Sequence, residues 1–172
     1  NDPTAILYVR TSDLDSTGKL KAGVPIEPLI VRANAGECVK LRLRNRLPTT
    51  LPDLDGFNTL PMIVRKFNAN QVKPSPFVGL RTQLVFTDVA LSAGVNAGFN
   101  PVQTVRPGYS RPYVFYTGDI QVNLDGSIQA TPIEFGATNL ISSDPIKHSN
   151  KGAIGGLIIE PPGSTWSESS KS

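Results

Sequence analysis

An all-β sandwich with long loops is the fold class this chain predicts, on three observations. The 172 residues contain fifteen Gly and fifteen Pro with no low-complexity tract, a composition of many short strands and turns, since Pro cannot donate within a ladder and Gly supplies positive φ. Residues 38–44 alternate apolar and polar, the period of a half-buried strand. No segment sustains the 3.6-residue period of an amphipathic helix.

Taken in order, the run Ala5–Arg10 (AILYVR) is apolar and partly β-branched and predicts a strand, followed by a turn-rich loop over 11–23. Two strands then flank Asn34-Ala35-Gly36, where Gly36 can take the positive φ of a tight turn. In the second of these, Val39, Leu41 and Leu43 share the inward face, and Cys38, Lys40, Arg42 and Arg44 share the other. Residues 48–76 hold Pro, Asn and Asp around Met62 and predict loop with at most one short strand. Thr82–Ala90 alternates well enough for another strand, and 91–101 is a Gly/Asn loop. Val102–Tyr116 predicts two strands joined through Pro107-Gly108, the residue pair of a type II turn. Residues 117–136 read as a long excursion or a hairpin around Asp125-Gly126, and Gly155–Glu160 is a short apolar strand stopped by prolines. The domain is taken as 1–166, with a Ser-rich tail over 167–172 that frays unless Trp166 anchors it.

A chain of this length fits one domain and would bury roughly 70% of its unfolded surface. The net charge of +3 is mild and its signs are interspersed, which does not call for nucleic acid. The basic stripe Lys40, Arg42 and Arg44 reads as a solvated sheet face; a polyanion contact would want aromatic residues interleaved with the charges for stacking. Because the one Cys cannot form an internal disulfide, Cys38 is a buried apolar residue, a free thiol or an intermolecular partner. No window approaches the about 18 apolar residues of a membrane-spanning helix, and the first residues have no signal-peptide pattern. There is no second His, no G-x-S-x-G and no H-x-x-E-H, so a hydrolytic enzyme is poorly supported.

Four separated segments resemble one family. Glu27–Leu47 looks like the opening hairpin of multicopper oxidase domains, with an acidic residue after the turn glycine. Gln103–Tyr116 is similar to their Pro-Gly turn and aromatic-rich strand, and Phe135–Leu140 and His148–Pro161 resemble their metal-site end. With Gly79-Leu80-Arg81 and Gly98-Phe99-Asn100, the set looks most like large bacterial multicopper oxidases of the manganese-oxidising kind. The resemblance covers roughly half the chain and implies a cupredoxin-like Greek-key β-sandwich or barrel. It further implies a parent enzyme that holds copper, sister cupredoxin domains or associated subunits as partners, and an extracytoplasmic location.

The same resemblance implies that the copper chemistry is missing here. Anchored on His148, the family's pattern puts Ser143 where the thiolate belongs, Gly152 at the glycine and Ala153 at the axial position. A type 1 centre needs two His and one Cys, and a neutral hydroxyl cannot replace a soft anionic sulfur. The four His-x-His pairs of a trinuclear cluster are absent from the sequence, and Ser142 and Asp144 could not hold three coppers. Arg81 stands where a ligand His is expected, and a guanidinium repels a cation. His148 is therefore read as a hydrogen-bonded structural residue, with a vestigial metal site of His148 and Asp144 as the alternative. Met62 and Cys38 are read as packing. The expectation is a domain with no catalytic or cofactor-binding residues, copper-free or copper-poor, packing against copper-bearing domains; a stand-alone β-sandwich using the basic stripe or the 57–64 loop is the other reading.

Overall fold

The computed structural model describes residues 4–51, 74–96 and 98–167. The predicted strand near Met62, the residue itself and the 57–64 loop lie outside these.

Among the described residues eight strands carry the fold: β1 (Leu29–Asn34), β2 (Cys38–Arg44), β3 (Arg81–Thr82), β4 (Ser110–Tyr116), β5 (Gly118–Val122), β6 (Ile128–Pro132), β7 (Gly136–Ile141) and β8 (Ile154–Glu160). Helix among the described residues is confined to one 3-10 turn, Thr11–Asp13, and one short α-helix, α1 (Lys147–Asn150). The chain is all-β, as its composition and periods predicted.

One sheet has the order β1-β8-β7-β3, with β1 and β8 parallel and the other pairs antiparallel. A second pairs β2 with β4 antiparallel, and a third is the β5-β6 ribbon. Tyr113 and Phe115 of β4, Val39 of β2, Leu140 of β7, Leu157 and Ile159 of β8 and Ala33 of β1 form one buried cluster. The first two sheets therefore share a core. Their alternating burial follows from the period of two, which sends every second side chain to the same face.

Several expectations hold. Val39 is buried and Leu41 and Leu43 are half-buried, while Cys38, Lys40, Arg42 and Arg44 are exposed. Gly36 has φ 86°. The Tyr109 amide donates to the Arg106 carbonyl across Pro107-Gly108, and Gly108 has φ 84°, the type II geometry. The excursion after Thr117 is a hairpin, with Gly126 at φ 81° in its turn.

Others are corrected. β1 and β2 do not pair with each other, so the opening hairpin is instead a crossing between sheets. Ala35 donates to Glu160 and Gly36 to Thr117, which ties the turn to β8 on one side and to the end of β4 on the other. Ala5–Arg10 joins no ladder among the described residues; the Ile6 amide donates to Lys151, and Ile6 and Tyr8 plug the core with their side chains. The strand expected over 82–90 stops at Thr82, because Leu84 turns to φ 62° and only Phe86 bridges to Tyr116. Val102–Val105 contributes a single bridge, Val105 to Val78. Cys38 is exposed, so it is not a packing residue. Trp166 is half-exposed.

Candidate functional site

β7 ends at Ile141 and the chain turns through 142–146 into α1, which delivers His148 to the core. The turn is shaped locally. The Asp144 carboxylate accepts the Lys147 amide at 2.8 Å. After the helix, Gly152 adopts φ 99° and donates to Ser149, a left-handed termination that favours Gly. The glycine four residues after the histidine thus has a backbone reason to be there.

His148 is fully buried, and both ring nitrogens are engaged. Nε2 lies 2.6 Å from the Ser75 carbonyl oxygen, which can only accept, so Nε2 carries the proton. In the neutral ring Nδ1 then accepts from the Ser142 hydroxyl at 2.7 Å. Ser142, itself fully buried, lies beside the Tyr8 phenol, which donates to the Gly79 carbonyl at 2.6 Å. Burial pushes the Tyr8 hydroxyl well above the ordinary tyrosine range, with the neighbouring Ser142 hydroxyl acting in the opposite direction. The result is a buried polar chain of Gly79, Tyr8, Ser142, His148 and Ser75 drawn from three stretches of sequence.

The residues singled out by the resemblance converge on this chain. Arg81 pairs with Ile141, one residue from Ser142. A Cβ built on Gly79 would lie 3.1 Å from the Ser143 Cβ. Ala153 is fully buried and its amide donates to the His148 carbonyl. Asp144 is the exception: its hydrogen bond goes to the Lys147 backbone, and the partners of the imidazole are Ser142 and Ser75. Among the described residues no three His, Cys, Asp or Glu side chains group as a metal set.

The chemistry of this arrangement is limited. A metal at either ring nitrogen would displace a buried hydrogen bond, and the surrounding donors are neutral hydroxyls and backbone carbonyls. That donor set does not fit a type 1 copper. The Ser142–His148 contact has the length of a nucleophile–base pair, but a serine with no exposed surface offers no approach to a substrate carbonyl. What the chain does is satisfy polar groups in the core, where an unpaired one costs about 1–3 kcal/mol.

Sequence reasoning singles out His148 and, through the resemblance, Gly152; it names Ser142 only as a position unable to hold copper, and it misses Tyr8 and Ser75. Tyr8 was read only as part of an apolar run, although a buried tyrosine hydroxyl requires a partner. Ser75 contributes its carbonyl, which no side-chain signal announces. Neither a scan against models of protein families nor a search of curated proteins finds a match to this chain. Among the described residues no helix is long and apolar enough to cross a membrane.

Proposed function

We propose that this chain is a non-catalytic, cupredoxin-like Greek-key domain of a multicopper oxidase, copper-free itself, that packs against the copper-bearing domains of an extracytoplasmic enzyme. One observation supports the reading above the others: the segments holding Arg81, Ser143 and Ala153, which the resemblance assigns to one site with His148, meet beside the buried histidine, through the Arg81–Ile141 pairing, the Gly79–Ser143 approach and the Ala153 bond to the His148 carbonyl, although they span more than seventy positions. A residual site would keep its geometry and lose its ligands in this way, since function resides in the side chains grafted on a fold. The domain's part is then to contribute surface and rigidity, while oxidation of a metal ion or organic reductant and reduction of dioxygen proceed on its sister domains.

The test is copper content by elemental analysis after Cu(II) loading and exhaustive dialysis, on this chain and on the polypeptide in which it occurs. Copper in the larger polypeptide, with none retained by this chain and no intense visible absorption from it, supports the proposal. A full equivalent on this chain overturns the copper-free assignment. A larger polypeptide that is also free of copper overturns the oxidase assignment and favours a stand-alone β-sandwich.

A further inference from the structure

β2 has a ladder partner on one side only among the described residues, namely β4. Which backbone groups are left over follows from the register. Glu37 accepts from Thr117 and Asn45 donates to Tyr109, so odd-numbered residues of this stretch turn their peptide groups toward β4. On β4 the amides of Val114 and Tyr116 go the other way, to Ser92 and Phe86, so their partners Lys40 and Cys38 are not hydrogen-bonded across the pair. The even residues Cys38, Lys40, Arg42 and Arg44 therefore direct N–H and C=O to the open edge.

These same residues carry the basic stripe. Lys40, Arg42 and Arg44 are exposed, and no ion pair or side-chain hydrogen bond engages them among the described residues. Their cross-strand neighbours are Val114, Pro112 and Ser110, which offer no carboxylate. Along a strand, alternate side chains stand about 7 Å apart on one face. Three cations at that spacing, on residues whose peptide groups and side chains have no partner among the described residues, present charge and backbone to the same neighbour.

Cations on an edge strand ordinarily block pairing with another sheet. Here the block is selective: a second copy of β2 would bring like charges together, whereas a strand with carboxylates at alternate positions would place each one opposite a cation. We propose that the open edge of β2 docks an extended acidic polypeptide segment by strand addition, with Asp or Glu at every second residue facing Lys40, Arg42 and Arg44. Main-chain bonds to the even residues supply the seat, and the charges set register and exclude self-pairing. The inference is independent of the copper assignment.

The experiment uses the full chain and two synthetic peptides of one composition, one with Glu alternating with Thr and Val, the other with its Glu residues contiguous. Amide hydrogen exchange is followed by NMR and affinity by fluorescence anisotropy. The alternating peptide slows exchange at Lys40, Arg42 and Arg44, binds more tightly than its isomer, and loses about tenfold in affinity when Lys40→Gln and Arg42→Gln are combined. These exposed substitutions leave the core untouched. Equal binding of both peptides with no slowed exchange would mean diffuse charge attraction and overturn strand addition. A single-stranded oligonucleotide that outcompetes the alternating peptide would overturn the acidic polypeptide as occupant.

Discussion

The Ser142 hydroxyl oxygen lies 2.7 Å from His148 Nδ1, with both side chains fully buried and the far ring nitrogen held by the Ser75 carbonyl. Removing either partner leaves the other unsatisfied in the core. Ser142→Ala is expected to cost about 1–2 kcal/mol, and His148→Ala about 3 kcal/mol, because it also empties the ring's volume. Urea unfolding measures both. The two single costs should sum to more than the cost of the double variant, since the hydroxyl and the imidazole share one bond. Strict additivity would mean that the contact contributes nothing.

Alkaline pH should destabilise the protein through Tyr8 and Tyr113. Burial raises both phenols above the ordinary value of 10.0, Tyr113 to about 12 and Tyr8 further. Above pH 10 the unfolded chain releases these protons while the folded one keeps them, so the unfolded state binds fewer protons and stability falls as pH rises. The contribution is complete below about pH 10 and is lost through the folded-state values, at up to about 1.4 kcal/mol per pH unit for each group. Urea midpoints taken from neutral pH upward should decline beyond pH 10, and less steeply in Tyr8→Phe. A flat profile would sink the claim that these hydroxyls remain protonated in the core.

Much of β2 was legible because its face alternation is a local property, and the Gly36 and Pro107-Gly108 turns were legible because positive φ is a local demand. Pairing was not. Whether the strand before Gly36 folds back on the strand after it depends on β8 and β4, more than seventy residues away in sequence, and nothing in Asn34-Ala35-Gly36 distinguishes a hairpin from a crossing between sheets. Ala5–Arg10 failed for a related reason: an apolar run reports burial, and a core-plugging extended segment buries Ile6 and Tyr8 as well as a ladder strand would. At the site, His148 is marked by being the one histidine of the sequence and Gly152 by the family pattern anchored on it, while the Ser75 carbonyl and the approach of Gly79 belong to the backbone.

The inward face of β2 can be tested against its neighbour. Leu41 packs against the buried cluster, and Arg42 points to solvent. Leu41→Asp places a carboxylate among apolar groups and is expected to cost about 2–3 kcal/mol. Arg42→Asp, one residue on, should change stability by no more than about 0.5 kcal/mol. Thermal unfolding of the two variants decides it; comparable losses would mean that the face assignment is wrong.

Gly79 and Gly94 lie in close backbone approach, and the pair gives the sharpest mutational contrast. A Cβ on Gly79 would sit 1.8 Å from the Gly94 carbonyl oxygen, and one on Gly94 would sit 2.4 Å from that of Leu80. Neither atom is the end of a flexible side chain, so relief requires the two segments to separate, which would also pull the Gly79 carbonyl from Tyr8. Gly94 has the further burden of φ 70°. Gly126 has φ 81° but open space around its Cβ position, so alanine there pays only the left-handed penalty of about 1 kcal/mol. Gly79→Ala is expected to lose at least about 3 kcal/mol and, by loosening Tyr8, to speed amide exchange in the 142–148 turn, whereas Gly126→Ala leaves that turn unchanged. Equal losses from the two would show that the crossing of these segments is not what holds the Tyr8 end of the buried chain.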